Sequence, residues 1–269
     1  MCLRLKKNIC TEQDIDDFLG KLNPLDLILV DGITPFSKLI KKGSKLVKGN
    51  GQFSHCGLVI NKEICPEIDA EVEDDYPLLM ESTVSIFGEV PDIETGKFSL
   101  GAQIRDLREV IKELLADGGS IAVCHLKKNP YVEAKSQNDE VKIESIKKAI
   151  DSIYNTYFEE KSIYELNIFS LLGTIFPSVR PLRDATDKMM KFITENHPWI
   201  FCSELVCIVY RDLDLLEDDI DTQAYLPVDF VSSIDFTNPQ KTDVVNSIMD
   251  IPPIFIKYTS VENKKCTIL

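Results

Sequence analysis

Short runs rich in apolar residues, each bounded by turn-forming or charged residues, constrain most strongly how this chain can fold. They lie at residues 27–30, 55–60, 78–84, 121–126 and 254–258. Runs of this length are typical of buried β-strands, because a helix usually needs ten or more residues. Apolar residues at helical spacing occupy other stretches, at residues 12–20, 35–48, 100–116 and 138–160. The sequence therefore predicts an α+β fold, with the first strand at residue 27 and some doubt whether residues 105–107 are helix or strand.

The charge balance limits the classes of partner. The formal net charge is −14, and affinity for nucleic-acid phosphates comes from surplus Lys and Arg, so we expect no nucleic-acid binding. Contact with an anionic surface then requires a local basic patch. The helical stretch 35–48 supplies one, with apolar residues interleaved by Lys38, Lys41, Lys42, Lys45 and Lys48. This pattern fits a solvated helix face or a membrane-facing patch.

The eight cysteines indicate no metal site. No two cysteines form a C-x-x-C pair, and the sequence has no His-x-x-x-His motif. The usual spacing of zinc ligands is therefore missing. We expect no metal and no cofactor, and the cysteine usage fits a reducing cytosol. The N-terminus lacks the apolar segment of a secretory signal, and no run of apolar residues reaches membrane-spanning length.

The last four residues match a lipidation motif. Cys266-Thr267-Ile268-Leu269 fits the C-a-a-X pattern, and the final Leu favours geranylgeranylation of Cys266. Three lysines nearby, Lys257, Lys264 and Lys265, provide the second signal that stable anchoring usually needs. We therefore expect a flexible tail over residues 261–269 that a prenyltransferase modifies.

Cys202 and His55 together fit a thiol nucleophile and its base. The apolar positions after Cys202 repeat at helical spacing, which places Cys202 at a helix N-terminus, where the dipole favours a thiolate. His55 opens an apolar strand next to the small residue Gly57. A histidine in that place can take the proton of the thiol and hold the resulting ion pair. A single cysteine that begins a core helix is, however, more often inert.

The remaining candidates are weaker or complementary. A base is usually oriented by a third polar group, for which Glu81 is preferred over Glu63 because it lies on the strand expected beside His55. Two other histidines fit less well: His125 lies inside a strand, and His197 is only five residues before Cys202. Cys207 is turned about 140° from Cys202 on an ideal helix, and Cys56 points away from His55 by strand alternation. Both are interpreted as packing residues.

The separated motifs, taken in order, resemble the circularly permuted branch of the NlpC-type papain-like thiol superfamily, which includes YiiX-like proteins and relatives of lecithin retinol acyltransferase. The matching positions are residues 24–27 (PLDL), 54–57 (SHCG), Glu81, 201–205 (FCSEL) and 227–229 (PVD). Leu25 departs from the pattern, since the family often has Gly before the Asp. The resemblance covers residues 24–90 and 198–232 and leaves 130–197 unexplained.

The resemblance implies a fold and a type of chemistry. The fold is a permuted papain-like core, in which an antiparallel sheet packs against the helix of Cys202. We expect halves of that core at residues 1–128 and 199–260, with a helical insertion or lid at 129–198. The chemistry is cleavage or transfer of an acyl group through a thioester on Cys202, with His55 and Glu81 as the other catalytic residues.

The substrate implied is a lipid, or a lipidated or membrane-proximal protein, at the cytosolic face of eukaryotic membranes. A eukaryotic type of lipidation motif on such a core fits an effector made by an intracellular bacterium or large virus and modified by a host prenyltransferase. Two alternatives stay open. One is a cysteine peptidase or amidase, and the other is a non-catalytic binding module tethered to the membrane.

Overall fold

The structure is a computed structural model that describes residues 7–9, 12–48, 51–83, 90–98, 101–159, 200–219, 221–230, 254–260 and 265–268. Within these residues the protein combines one β-sheet with six α-helices. Residues 160–199, which contain His197 and the apolar stretch 163–178, lie outside the described part of the chain. The expected insertion is therefore described only through its first helices.

The sheet is antiparallel throughout its described pairings. Its strands are β1 (Lys7–Ile9), β2 (Leu27–Asp31), β3 (His55–Ile60), β4 (Leu78–Thr83), β5 (Gly101–Asp106), β6 (Ser120–Cys124), β7 (Ile254–Ser260) and β8 (Lys265–Ile268). They lie in the order β1-β8-β7-β6-β2-β3-β4-β5. Each neighbouring pair is antiparallel. The mixed fold with an antiparallel sheet is thus as predicted.

The helices are α1 (Glu12–Leu19), α2 (Pro35–Lys48), α3 (Leu107–Ala116), α4 (Pro130–Gln137), α5 (Glu140–Tyr154) and α6 (Cys202–Asp212). A π-helical turn, Asn155–Glu159, continues α5. Helix α3 begins where Asp106 accepts a hydrogen bond from the Glu109 amide at 3.1 Å, as an N-cap does.

Helices cover both faces of the sheet, because the central strands alternate between two apolar cores. On one face Leu27, Leu29 and Leu58 pack with residues of α4, α5 and α6. On the other face Ile28 and Val59 pack with residues of α1 and α3. Strands buried on both faces are continuously apolar rather than alternating, which explains the fully apolar run at residues 27–30.

Three expectations from the sequence were wrong. A strand, β1, precedes residue 27. Residues 101–106 form strand β5 rather than the start of a helix, since they pair with β4 along its full length. In the tail, residues 265–268 form strand β8, which pairs with β1 on one side and β7 on the other. The backbone around Cys266 is therefore part of the sheet instead of a loose segment.

Candidate active site

Helix α6 begins at Cys202, as predicted, and its N-terminus is fixed from three sides. The Phe201 amide donates to Glu204 Oε2 at 3.3 Å, Ser82 Oγ of β4 donates to the Ile200 carbonyl at 2.8 Å, and Ser203 Oγ donates to the Tyr225 carbonyl at 2.7 Å. Cys202 is 4% exposed. The thiol therefore lies at the positive end of the helix dipole, in a position held by the sheet.

His55 opens β3 and contacts both of its expected partners. Its Nε2 is hydrogen-bonded to Glu81 Oε2 of β4, and its side chain is also hydrogen-bonded to Cys202. The His55 side chain keeps 17% of its surface exposed, whereas that of Glu81 is fully buried. The structure thus brings Cys202, His55 and Glu81 together.

Arg105 of β5 completes this line of groups and was not predicted from the sequence. Its guanidinium forms an ion pair with Glu81 Oε1, the carboxylate oxygen that His55 leaves free. Both side chains are buried, and a buried carboxylate needs a paired charge. The sequence offered only a basic residue next to the apolar Ile104, in a stretch predicted as helix with residues 105–107 left open as strand.

Gly57 allows the carboxylate to lie beside the histidine. It pairs with Glu81 across β3 and β4. A Cβ atom at position 57 would lie 2.8 Å from Leu79 Cδ1, 2.9 Å from the Met80 carbonyl oxygen and 3.0 Å from Glu81 Cβ. Any larger residue would push the strands apart, which explains why glycine follows His55 at this spacing.

The electrostatics favour a charged pair between Cys202 and His55. Burial disfavours the charge on His55, but Glu81 and Cys202 outweigh it and raise its pKa to about 10. A hydrogen bond from the Cys56 thiol lowers the pKa of Cys202, burial opposes this, and the charge of His55 lowers it further. Burial likewise raises the pKa of Glu81, but Arg105 and His55 overcome it and hold that pKa below its usual value. These shifts favour a thiolate on Cys202, an imidazolium on His55 and a carboxylate on Glu81.

Cys56 has a role that the sequence interpretation missed. Alternation along β3 does separate it from His55, but its face is the one covered by α6, where Cys56 and Cys202 belong to the same apolar core. The Cys56 side chain and backbone both hydrogen-bond to Cys202. Cys56 and Cys207 are both fully buried in the apolar core, as expected of packing residues, but Cys56 also interacts with Cys202.

The other candidates lie apart from this site. Glu63, the alternative to Glu81, accepts hydrogen bonds from Tyr131 at 2.9 Å and Lys135 at 2.7 Å. These residues line a polar pocket of about 450 Å³ beyond the opposite end of β3. His125 Nδ1 is hydrogen-bonded to Asp26 Oδ2 at 2.7 Å, a pair compared with the site below.

The lysines of α2 divide into two groups. Lys41 forms an ion pair with Asp31 and donates to the Gly32 carbonyl at 2.8 Å, so it does not belong to an open basic patch. Lys38, Lys42 and Lys45 are exposed. The Lys48 side chain lies outside the described residues.

Leu25, the departure from the family pattern, has φ 73°. This left-handed conformation is one that glycine adopts without strain and leucine does not. Residue 25 therefore has a backbone shape that glycine would favour.

Comparison of the chain with protein-family models and with curated proteins finds no match. Within the described residues, no helix combines the length and apolar character needed to cross a membrane. Those residues also contain no group of three or more His, Cys, Asp or Glu side chains placed to hold a metal ion.

Proposed function

We propose that this protein is a cysteine hydrolase or acyltransferase on a permuted papain-like core, working through an acyl-thioester on Cys202. The observation that supports it is the continuous line from Cys202 through His55 and Glu81 to Arg105. A thiol on a helix N-terminus, a histidine and an orienting carboxylate are the parts that thiol catalysis needs. The left-handed Leu25 at the expected glycine position adds support for the permuted core.

In the proposed reaction the Cys202 thiolate attacks the carbonyl carbon of an ester or amide. The backbone amide of Cys202 is positioned at the helix N-terminus to stabilise the resulting oxyanion. The His55 imidazolium then gives its proton to the departing alcohol or amine, and the carbon–heteroatom bond breaks to leave the acyl-thioester. Neutral His55 next takes a proton from water or from an acceptor as it attacks the thioester carbonyl. The carbon–sulfur bond then breaks, which releases the acyl product and restores the Cys202 thiolate beside the His55 imidazolium.

Glu81 and Arg105 support the histidine in this scheme. Glu81 holds the Nε2 side of the ring. Arg105 keeps the buried carboxylate ionised. An ionised Glu81 stabilises the imidazolium through each half-reaction.

The proposed substrate is a lipid, or a lipidated or membrane-proximal protein, met at the cytosolic face of a eukaryotic membrane. The sequence features that favour it are the basic helix α2 and the C-terminal motif at Cys266. A peptidase or amidase would use the same residues, since only the bond cleaved differs. Incubating the protein with membranes and measuring mass changes in lipids and proteins, with Cys202→Ala as the reference, distinguishes these substrates.

A thiol-reactive acyl probe tests whether the protein is an enzyme at all. We expect wild type and Cys207→Ala to be labelled at the same rate and Cys202→Ala to lose labelling. Cys207 is a matched control because it lies on the same helix and is also fully buried. No labelling of wild type, or equal labelling of all three proteins, favours the non-catalytic binding module.

Prenylation of Cys266 is a separate proposal about location. Its backbone is paired in β8, so a prenyltransferase would have to take residues 265–268 out of the sheet. We expect Cys266→Ser to move the protein from membranes to the soluble fraction of eukaryotic cells, unless α2 alone holds it there. If a variant that combines Cys266→Ser with replacement of the α2 lysines stays on membranes to the same extent as wild type, the proposed prenyl anchor is wrong.

A further inference from the structure

One face of α2 combines exposed leucines with lysines that have no ion-pair partner within the described part of the chain. The helix begins after Thr34, whose Oγ1 accepts from the Ser37 amide at 3.0 Å, and it contains no acidic residue. Its inner face is held by the buried residues Ile40 and Ser44 and by Lys41, which is paired with Asp31. Ser37 and Gly43 are half-buried, and the exposed positions are Lys38, Leu39, Lys42, Lys45 and Leu46.

The exposed leucines form a row along the helix. Leu39 is 47% exposed and Leu46 is 73% exposed, and residues seven apart lie within about 20° of each other on an ideal helix. Ile33, 42% exposed, is a third exposed apolar side chain and lies just before the helix. A single exposed leucine is ordinary, but aligned apolar side chains on one face need an explanation.

The exposed lysines flank this row. Along the helix axis Lys42 lies between Leu39 and Leu46. Lys38 and Lys45, which are seven residues apart, form a second row parallel to the leucines. The structure gives none of these three lysines a carboxylate partner among the described residues. In a chain of net charge −14, a helix face with three cations and no anion is complementary to an anionic surface.

We propose that Ile33, Lys38, Leu39, Lys42, Lys45 and Leu46, here called the α2 face, dock this protein on an anionic phospholipid bilayer. The leucines enter the boundary between headgroups and acyl chains, while the lysines contact lipid phosphates and carboxylates, as in interfacial helices. A flat lipid surface fits better than a protein partner, because the apolar row is narrow and convex.

The α2 face lies near the candidate site. Val30, three residues before Ile33, pairs with His55 in the sheet, and α2 packs against the turn Pro227–Phe230, which follows the Tyr225 carbonyl bound by Ser203. Docking through α2 therefore brings the end of β3 that carries His55, and the N-terminus of α6 that carries Cys202, towards the membrane. This deepens the proposed function by naming the surface on which its substrate is met.

The test measures binding without catalysis. Full-length Cys202→Ala/Cys266→Ser protein, which has neither the proposed nucleophile nor the lipidation site, is mixed with vesicles of phosphatidylcholine alone or with phosphatidylserine. We expect sedimentation with the anionic vesicles only, and release by salt. Because the nucleophile is already absent, this result does not depend on whether the protein is an enzyme.

Paired charge reversals identify the surface. Lys42→Glu/Lys45→Glu should weaken partitioning by roughly 10- to 100-fold, given about one kcal/mol for each lysine near an anionic membrane. The matched control, Lys142→Glu/Lys148→Glu, changes the net charge equally on the exposed face of α5, where acidic residues are interspersed, and should bind nearly as wild type. Leu39→Ser/Leu46→Ser should weaken binding by about tenfold, with thermal melting used to verify that each variant folds.

Several results overturn the proposal. They are no binding of the starting protein to anionic vesicles, equal binding to neutral vesicles, and equal loss in the α2 and α5 variants. A dimer in solution that is abolished by Leu39→Ser/Leu46→Ser, without vesicle binding, would instead assign the α2 face to self-association.

Discussion

Two histidine–carboxylate pairs can be compared, one on strands β3 and β4 and the other just beyond the ends of β2 and β6, and only the first has the features expected of an active site. His55–Glu81 and His125–Asp26 each join a partly exposed imidazole to a buried carboxylate, with side-chain exposures of 17% and 0% in the first pair and 24% and 1% in the second. Each also has a cysteine nearby, Cys202 in the first and Cys124 in the second. By composition alone the two pairs are equivalent.

The difference lies in what surrounds each cysteine and carboxylate. Cys202 is at a helix N-terminus and hydrogen-bonds to the histidine, and its pKa is lowered. Cys124 ends a buried strand, where burial and the Asp26 charge raise the pKa of its thiol. Glu81 is backed by Arg105, whereas Asp26 accepts from the Asn23 amide at 2.8 Å and braces the turn at Leu25. The two pairs therefore differ in the cation behind the carboxylate and in the helix dipole behind the thiol, and the proposed function predicts that only the pair with both is reactive.

Replacing the two histidines should separate the pairs most strongly. His55→Gln should slow labelling by the acyl probe by about 10²- to 10⁴-fold, the usual contribution of a general acid–base. His125→Gln should leave the labelling rate within about threefold of wild type and lower the free energy of unfolding by about 1–3 kcal/mol, the cost of leaving a buried carboxylate without its partner. Stopped-flow labelling and urea unfolding measure the two quantities, and a comparable rate loss in both variants would erase the distinction.

The two carboxylates provide the next comparison. Glu81→Gln keeps a side chain of the same shape, but its amide NH₂ presents a donor to His55 and so favours the wrong tautomer. We expect labelling to fall by about 10²-fold, with a smaller fall for Asp26→Asn, whose main effect should be on stability. If Glu81→Gln labels at the wild-type rate, the carboxylate has no part in activating the thiol.

The pH dependence of wild-type reactivity follows from the directions of the pKa shifts. The thiolate of Cys202 forms as pH rises through its lowered pKa, so alkylation by iodoacetamide should have a midpoint well below the value of about 8.5 for a free cysteine. Turnover of the acyl probe should follow the same rise and then decline near pH 10, where His55 loses the proton that the leaving group requires. Mass spectrometry of each alkylated cysteine checks this, and a Cys202 midpoint at or above the free value would refute the ion pair.

Local patterns predicted the parts of the site that depend on one element each. The start of α6 at Cys202 could be predicted from the helical spacing of the apolar residues after it. The positions of His55 and Glu81 could be predicted because each lies on a strand that its neighbouring apolar residues indicate. Arg105 and Cys56 depend instead on long-range choices: the pairing of β5 with β4, and which face of β3 the helix α6 covers. A single sequence contains the alternation of a strand but does not say which of its two faces meets a distant helix.

The smallest expected effect concerns Cys56, whose contact with Cys202 depends on which face of β3 the helix α6 covers. Cys56→Ala removes a weak S–H donor to the Cys202 thiolate but leaves the backbone amide in place, so labelling should slow by only about three- to tenfold and the alkylation midpoint of Cys202 should move upward. Cys56→Ser restores a donor and should recover most of the rate. Cys65→Ala, at an equally buried cysteine of the same core, reports the effect of lost packing alone. If the Ala and Ser variants at position 56 behave alike, the thiol only fills space, and the low pKa of Cys202 rests on His55 and the helix terminus.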